Sequence, residues 1–356
     1  MVDIESLARQ VKRNCNISDA RYWGNYSLCG LLLRLRDLYR SESQVSAWEK
    51  ISHRDVGEWI SARETLWGEL KDSQFGNITL NGHVYDAFEV ERINAALTKE
   101  GLVYGAGLGL YGKPSFFLAD LVSKKQANGC AVFTAGGEYA RDLADYPAML
   151  QEKTIFVRTD MAKQLLWGRF EEVRSNCVKS ALTYAFSCYG ISAGEAPSGH
   201  LYARISQVAL CESETYLYHE LGEVFEGERI GGEWKALLAS LPHGRAEVFA
   251  RSVKDILSDT SENGMLMHII QNRKAGSLGF YLVFLTGFRK LIFPEIFDAF
   301  QVFQETGNWE KIDGARKAGY KNAAVYLEKI LSLHKKEVIN STLSERLEQE
   351  ILSGLL

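Results

Sequence analysis

The chain has 356 residues, 46% apolar and 24% charged, with a net charge of −4. That is enough for a core of ordinary size in two domains, and it excludes both a disordered chain and the basic excess of a nucleic-acid binder. Five prolines favour long helices, and six scattered cysteines (Cys15, Cys29, Cys130, Cys177, Cys188, Cys211) with no Cys-x-x-Cys pair exclude a zinc ribbon or a thioredoxin-like motif and read as buried thiols in a reducing compartment.

The opening Met1-Val2-Asp3-Ile4-Glu5-Ser6 carries early acids and no apolar run, so no secretory signal is expected. Residues 1–73 read as helical. The clearest stripe is Val56, Trp59, Ile60, Arg63, Leu66, Trp67 and Leu70, in which the Arg63 stem packs and its head reaches out. Residues 74–158 change character. Asn77–Tyr85 alternates around Asn81-Gly82, a hairpin signal, and Ala87–Lys99 returns to helix. Strands are expected at Leu102–Tyr104, Phe116–Leu118, Cys130–Thr134 and Thr154–Val157, with a turn at Asn128-Gly129. Ala135-Gly136-Gly137-Glu138 reads as a turn into a helix over Tyr139–Leu143.

From Asp160 onward the pattern is helical throughout. One long helix is expected over Met161–Tyr189, then a loop to Gly199. Helices follow near 201–228, 231–240, 244–258, 263–275, 277–292, 295–305, 309–334 and 342–355. The most apolar segment, Phe280–Phe297, is broken by Arg289-Lys290 and Pro294-Glu295, so it reads as a buried helix and no membrane partner is expected. The clusters Arg34-Leu35-Arg36 and His334-Lys335-Lys336 read as solvated faces, with no nucleic-acid partner. The last helix aligns Leu343, Leu347, Ile351 and Leu355, a stripe for its own domain or for a homodimer contact. The fold class is therefore α+β. A mixed N-terminal domain over 1–158 (helical 1–73, sheet-containing 74–158) precedes a helical domain over 159–356.

The candidate chemistry lies in Tyr216-Leu217-Tyr218-His219-Glu220-Leu221-Gly222-Glu223. His219 and Glu223, four residues apart, share one helical face and would share a metal ion. Glu212, Tyr216 and Glu226 fall on the same azimuth, and Leu210, Leu217, Leu221 and Val224 oppose them. The plain alternative is an acidic face in water over a leucine core. Against it, the acidic face continues backwards through Val208, Ile205 and Leu201, which makes the helix apolar on both sides and central. Carboxylates there need a cation, supplied by a metal or by Arg251, Arg273 or Arg289. Metal ligands are assigned to His219, Glu223 and Glu212, and catalytic roles to Glu220 as base and Tyr216 as proton donor. Glu247, Asp255, Asp259 (just past its helix), His243 and His268 are further candidates. The donor set suits iron, manganese or zinc. His219-Glu220-Leu221-Gly222-Glu223 lacks the second histidine of a zincin motif, and Gly222 inside a helix points instead to close backbone approach.

Gly107-x-x-x-x-Gly112-Lys113 approaches a P-loop, but Pro114 stands where Ser or Thr would hold magnesium, so no nucleotide cofactor is expected. The stretch Gly105–Ser115 reads as a strand or turn that another backbone approaches closely. A secondary expectation is an anion on Lys113 and the glycine amides.

Through the Tyr216–Glu223 run and the opening Arg21-Tyr22-Trp23-Gly24-Asn25-Tyr26, the chain resembles an uncharacterised family of bacterial proteins. No activity is attached to that family, so the resemblance carries no functional residue across. The leading expectation is a cytoplasmic metal-dependent enzyme acting on a small molecule or protein, an oxidoreductase ahead of a hydrolase because the ligands lie within a helical bundle. The alternative is a non-catalytic interaction or scaffold protein, whose acidic helix binds a basic partner or pairs internally with arginine.

Overall fold

The computed structural model describes residues 2–176, 180–335 and 342–354. The chain forms two compact units. The first comprises residues 1–172 and 195–213, the second residues 173–194 and 214–356. The class is α+β, and among the described residues every strand lies in the first unit.

In the first unit, helices α1 (Ile4–Tyr22), α2 (Leu28–Glu42) and α3 (His53–Leu70) precede a hairpin of β1 (Ile78–Leu80) and β2 (His83–Tyr85). Asn81 and Gly82 hold the positive φ values (51° and 79°) that the tight turn requires. Helix α4 (Val90–Leu97) leads into the main sheet: β3 (Leu102–Leu108), β4 (Pro114–Ala127), β5 (Cys130–Arg141), β6 (Ala148–Gln151) and β7 (Thr154–Arg158). The strand order is β3-β4-β5-β7-β6, antiparallel except for the parallel β5–β7 pair.

Alternate residues serve two cores. Tyr104, Phe116 and Leu118 pack with Leu7, Val11 and Cys15 of α1, while Val103, Phe117, Phe133 and Phe156 pack with one another on the opposite face. The sheet curls until β6 reaches β3. There the Gln151 carboxamide stands in for a strand, accepting from Leu108 N at 3.1 Å and donating to Leu108 O at 3.4 Å. A Cβ at Gly107 would lie 1.9 Å from the Gln151 side chain, and one at Gly105 would lie 2.0 Å from the Phe117 ring. The glycines of this strand thus admit side chains rather than another backbone.

Three expectations are corrected here. Gly136 and Gly137 are strand residues of β5, and no helix follows. Val122 and Asp120 of β4 lie 3.0 and 3.2 Å from where their Cβ atoms would be, at a run of register shifts. Arg63 turns inward: its guanidinium donates to Asn16 Oδ1 at 2.6 Å and pairs with Glu42. Lys113 is no anion receptor. Its ammonium is buried 3.0 Å from Asp19 and 3.3 Å from Asp142. These carboxylates in turn accept from the Leu143, Phe116 and Ala144 amides. Burial, with Asp142 adding and Lys113 opposing, raises Asp19 to about 6, and the two acids hold Lys113 above its ordinary value despite burial.

The expected helix over Met161–Tyr189 is two, α5 (Thr159–Asn176) and α6 (Ala181–Cys188). Ser180 caps the second, and Cys177 lies outside the described residues. Helix α7 (Gly199–Ile230) begins in the first unit and ends in the second. Then follow α8 (Gly232–Ser240), α9 (Arg245–Thr260), α10 (Met265–Gln271), α11 (Ala275–Phe284), α12 (Phe288–Ile292), α13 (Glu295–Thr306), α14 (Trp309–Lys335) and α15 (Leu343–Glu350). The single helix expected over 277–292 breaks where Gly287 turns left-handed (φ 57°).

Helix α9 is the centre of the second unit, with Phe249, Val253, Ile256 and Leu257 fully buried and α10, α12, α14 and α15 packed on it. Leu347 and Ile351 are buried in that unit, so this face packs internally; Leu355 and Lys336 fall outside the described residues. Among the described cysteines, Cys15 and Cys130 are buried, whereas Cys29, Cys188 and Cys211 are exposed. No helix among the described residues is long and apolar enough to cross a membrane.

Removing the cation from the Asp19–Lys113–Asp142 triad leaves two buried carboxylates uncompensated. Lys113→Met is expected to lower stability by about 3–5 kcal/mol in urea denaturation. A loss below about 1 kcal/mol would show that the triad contributes little.

Candidate functional site

Helix α7 buries both sides, as the sequence pattern requires: Leu201, Ile205, Val208, Leu217 and Leu221 are buried, and so are Glu212, Glu220 and Glu226. Leu210, expected in the core, is exposed. Gly222 fixes the geometry. A Cβ there would stand 2.4 Å from the Ser258 carbonyl of α9. The two backbones touch at this point, which is the close approach that a glycine within a helix suggested.

The crossing sets two i, i+4 pairs against each other: His219 and Glu223 from α7, Asp255 and Asp259 from α9. One ligand atom each from His219, Glu223 and Asp255 lie within 4.8 Å of one another. Nδ1 of His219 sits 2.7 Å from Oδ1 of Asp259, a carboxylate whose side chain is only 3% exposed. This contact fixes the ring and leaves Nε2 as the nitrogen free to coordinate, the arrangement in which an outer carboxylate orients a ligating histidine.

Cations border the acids. Lys254 Nζ donates to Glu223 Oε2 at 3.0 Å, and Arg289 of α12 lies 3.8 Å from Asp255. The Tyr281 hydroxyl of α11 is buried beside the Asp259 carboxylate, with no partner at full hydrogen-bonding geometry. The site is closed beneath, at Asp259 and Glu220, and partly open above, where His219, Glu223, Lys254, Asp255 and Arg289 keep 18–30% of their side-chain surface.

Titration follows from this packing. Burial disfavours the His219 imidazolium, but Asp259 beside it, then Glu220 and Glu223, outweigh burial and raise its pKa to about 10. Burial raises Glu220 to about 7, with His219 opposing and Glu223 adding. It also raises Asp255 to about 6, with Glu223 adding and Arg289 opposing. For Glu223 the upward push of burial is overcome by Lys254 and His219, which hold it below the usual range.

Of the residues named from sequence, the structure brings His219 and Glu223 together with Asp255, next to Glu220. Glu212 is not in the cluster. It shares their azimuth but lies two turns earlier in the helix, about 10 Å along the axis. Tyr216 is buried one turn before His219's neighbour Glu220, whereas Tyr218 stacks on His268 with ring centroids 3.9 Å apart. Glu226 accepts from Arg229 at 2.7 Å and Tyr320 at 3.1 Å. Glu247 is held by Arg251 at 2.9 Å and His243 at 3.2 Å. Asp259 falls inside α9 rather than beyond it. Lys254 and Tyr281 were missed. Lys254 adjoins Asp255 in an ordinary charged face, and Tyr281 lies in an apolar run that reads as core.

Two family models match the chain. One, described as "Family of unknown function (DUF6866) N-terminal domain", covers residues 6–158. Its C-terminal counterpart covers residues 163–353. The chain therefore belongs to this family of unknown function. No curated protein and no solved structure matches it.

Two outcomes follow from the crossing. Gly222→Ala is expected to cost about 1–3 kcal/mol in chemical denaturation, because the helices must part. Gly227→Ala, with nothing within 4 Å of its Cβ on the same helix, is expected to be neutral or stabilising by up to about 1 kcal/mol. Equal losses at both positions would remove the steric argument.

The second outcome concerns pH. His219 has a raised folded pKa of about 10, so its contribution is complete below the unfolded value of about 6.5 and is lost as pH rises through 10. In metal-free protein the His219 ring resonances should titrate near pH 10, and Asp259→Asn should return the midpoint toward 6.5. A wild-type midpoint already near 6.5 would show that the carboxylate does not hold the proton.

Proposed function

We propose that this member of the DUF6866 family is a metal-dependent enzyme of the bacterial cytoplasm, with one divalent ion held by His219, Glu223 and Asp255. The observation that supports this most directly is the approach of their ligand atoms to within 4.8 Å, with Nδ1 of His219 already engaged by Asp259. One imidazole and two carboxylates leave positions on a six-coordinate ion for water or substrate, and the oxygen-rich set suits manganese or iron ahead of zinc. The ion would supply Lewis acidity or redox chemistry at the open side of the site. Glu220, buried beside His219 and raised to about 7, is the carboxyl suited to move a proton near neutral pH. Binding the ion requires His219 to give up its proton, so affinity should rise with pH.

A specific observation favours a second reading. Lys254 and Arg289 already stand against Glu223 and Asp255, so the acids are compensated without a metal. In that reading the cluster is a structural ion-pair network in a non-catalytic protein.

Elemental mass spectrometry on untagged protein separates the two. Near-stoichiometric manganese, iron or zinc is expected in the wild type and should vanish in His219→Ala, with the variant's fold confirmed by circular dichroism. Wild-type protein that stays metal-free after reconstitution with each ion would overturn the enzyme reading and leave the ion-pair network.

A further inference from the structure

Three features of the site go beyond metal ligation. First, the acids outnumber the ligands a single ion needs. Glu220, Glu223, Asp255 and Asp259 converge with Lys254 and Arg289. A divalent ion and these two cations together balance the four carboxylates. Without Lys254 and Arg289 the loaded site is negative by two charges.

Second, the cations lie at the open side and are built to stay there. The Lys254 and Arg289 side chains are 18% and 30% exposed. Nη2 of Arg289 donates to the Phe284 carbonyl at 2.8 Å, which anchors the guanidinium by one edge. Lys254 is adjacent in sequence to Asp255, so it cannot leave the neighbourhood. An ion drawing on Glu223 and Asp255 takes over the charge that holds these two side chains, and repels them from its ligands at short range. They are then free cations beside an ion with open positions.

Third, the Tyr281 hydroxyl is a buried donor (the residue is 6% exposed) at the Asp259 and Asp255 side of the cluster. The Asp259 carboxylate beside it is not at full hydrogen-bonding geometry, so the hydroxyl can still donate to an acceptor that enters the site.

We propose that the site takes a substrate bearing a phosphate group, with Lys254 and Arg289 passing from Glu223 and Asp255 to the phosphate oxygens when the ion binds. This rests on the metal reading given above. Phosphate is the ligand that all three features fit. It completes the coordination of a hard divalent ion that has few protein ligands. It matches the planar fork of an arginine and the point charge of a lysine. It also offers an acceptor to a phenol. A neutral substrate would leave both cations displaced from their acids with nothing to receive them.

The test is titration of full-length metal-free protein with Mn2+, by calorimetry and electron paramagnetic resonance, with and without inorganic phosphate. In the wild type, phosphate is expected to bind the Mn2+-loaded protein and not the metal-free protein, and to tighten Mn2+ binding by about tenfold, the two effects being one coupling. Lys254→Gln and Arg289→Gln should bind Mn2+ alone at least as tightly as the wild type, since each removes a competitor for a ligand. In both, the enhancement by phosphate should fall toward onefold. Two independent variants are used so that misfolding of one does not decide the matter. If Mn2+ binds the wild type but phosphate neither binds the loaded protein nor tightens the metal, the substrate class is wrong and the metal reading survives. If both variants keep the full enhancement, the role given to the cations is wrong. If Mn2+ does not bind the wild type, this inference falls with the metal reading.

Discussion

The contact between Gly222 of α7 and the Ser258 carbonyl of α9 is the constraint on which the candidate site depends. A side chain at Gly222 would have to occupy the position of that carbonyl, 2.4 Å away. Gly264 meets the same carbonyl, with a Cβ there 1.9 Å from it, and a Cβ on Gly222 would also come within 3.2 Å of Gly264 Cα. The end of α9 thus packs closely against two glycines. The intrinsic cost of Gly222 in helix propensity, about 1 kcal/mol for a glycine in a helix interior, is offset by the packing that close approach allows. Because backbones touch at one level, the side chains three residues before it and one residue after it on each helix are brought face to face. Those are His219 and Glu223 on one helix and Asp255 and Asp259 on the other. The site follows from backbone contact, and its short distances do not require flexible side chains to find one another.

This explains what the sequence shows of the site. The i, i+4 spacing of His219 and Glu223 is a local property and is visible directly. Gly222 also carries its message locally, since a glycine in the middle of an otherwise regular helix asks for a neighbour. What the helical wheel cannot supply is height. It puts Glu212, His219, Glu223 and Glu226 on one azimuth, yet a partner helix meets only one level of that line. At the level of Gly222 the partner is α9. Near Glu226 it is α14, where Tyr320 and the local Arg229 satisfy the acid. Glu212 is missed by the cluster for the same reason. Asp255 and Asp259 could be named only as carboxylates on a nearby helix, because nothing in a sequence gives the register between two helices. Tyr281 carries no signal at all in a run of phenylalanine, leucine and valine.

In the first unit the alternation of apolar residues locates β3, β4, β5 and β7, and Asn-Gly places the turns at 81–82 and 128–129. Where that reading fails, long-range contacts override a local preference. Gly136-Gly137 has the composition of a turn, but it serves a strand in which Val122 and Asp120 of β4 press on the backbone. Lys113 follows glycines in the manner of a phosphate loop, but its partners, Asp19 and Asp142, are 94 and 29 residues from it in sequence. Gln151 closes the curl of the sheet with a carboxamide, and a polar residue at the end of a short strand announces nothing of the kind.

The Lys113 and His219 charge clusters answer opposite requirements, which is why only one of them is read as a site. Around Lys113, the acids are completed by the chain itself. Asp142 accepts from two backbone amides and Asp19 from another, and all three side chains are at most 5% exposed. Such a cluster is closed to ligands, and its saturation by rigid backbone donors ties α1 to the segment after β5. Around His219, the backbone groups at hand belong to helices whose amides are already committed, so the acids depend on side chains: Lys254 of α9 itself, Arg289 of α12 and Tyr281 of α11. Two of these keep access to solvent and the third has no partner at full hydrogen-bonding geometry. Compensation by movable side chains at a partly open surface can be withdrawn and replaced, whereas compensation by backbone amides cannot. That difference in what satisfies the carboxylates, more than their number, separates a cluster that holds the fold together from one equipped to exchange its partners.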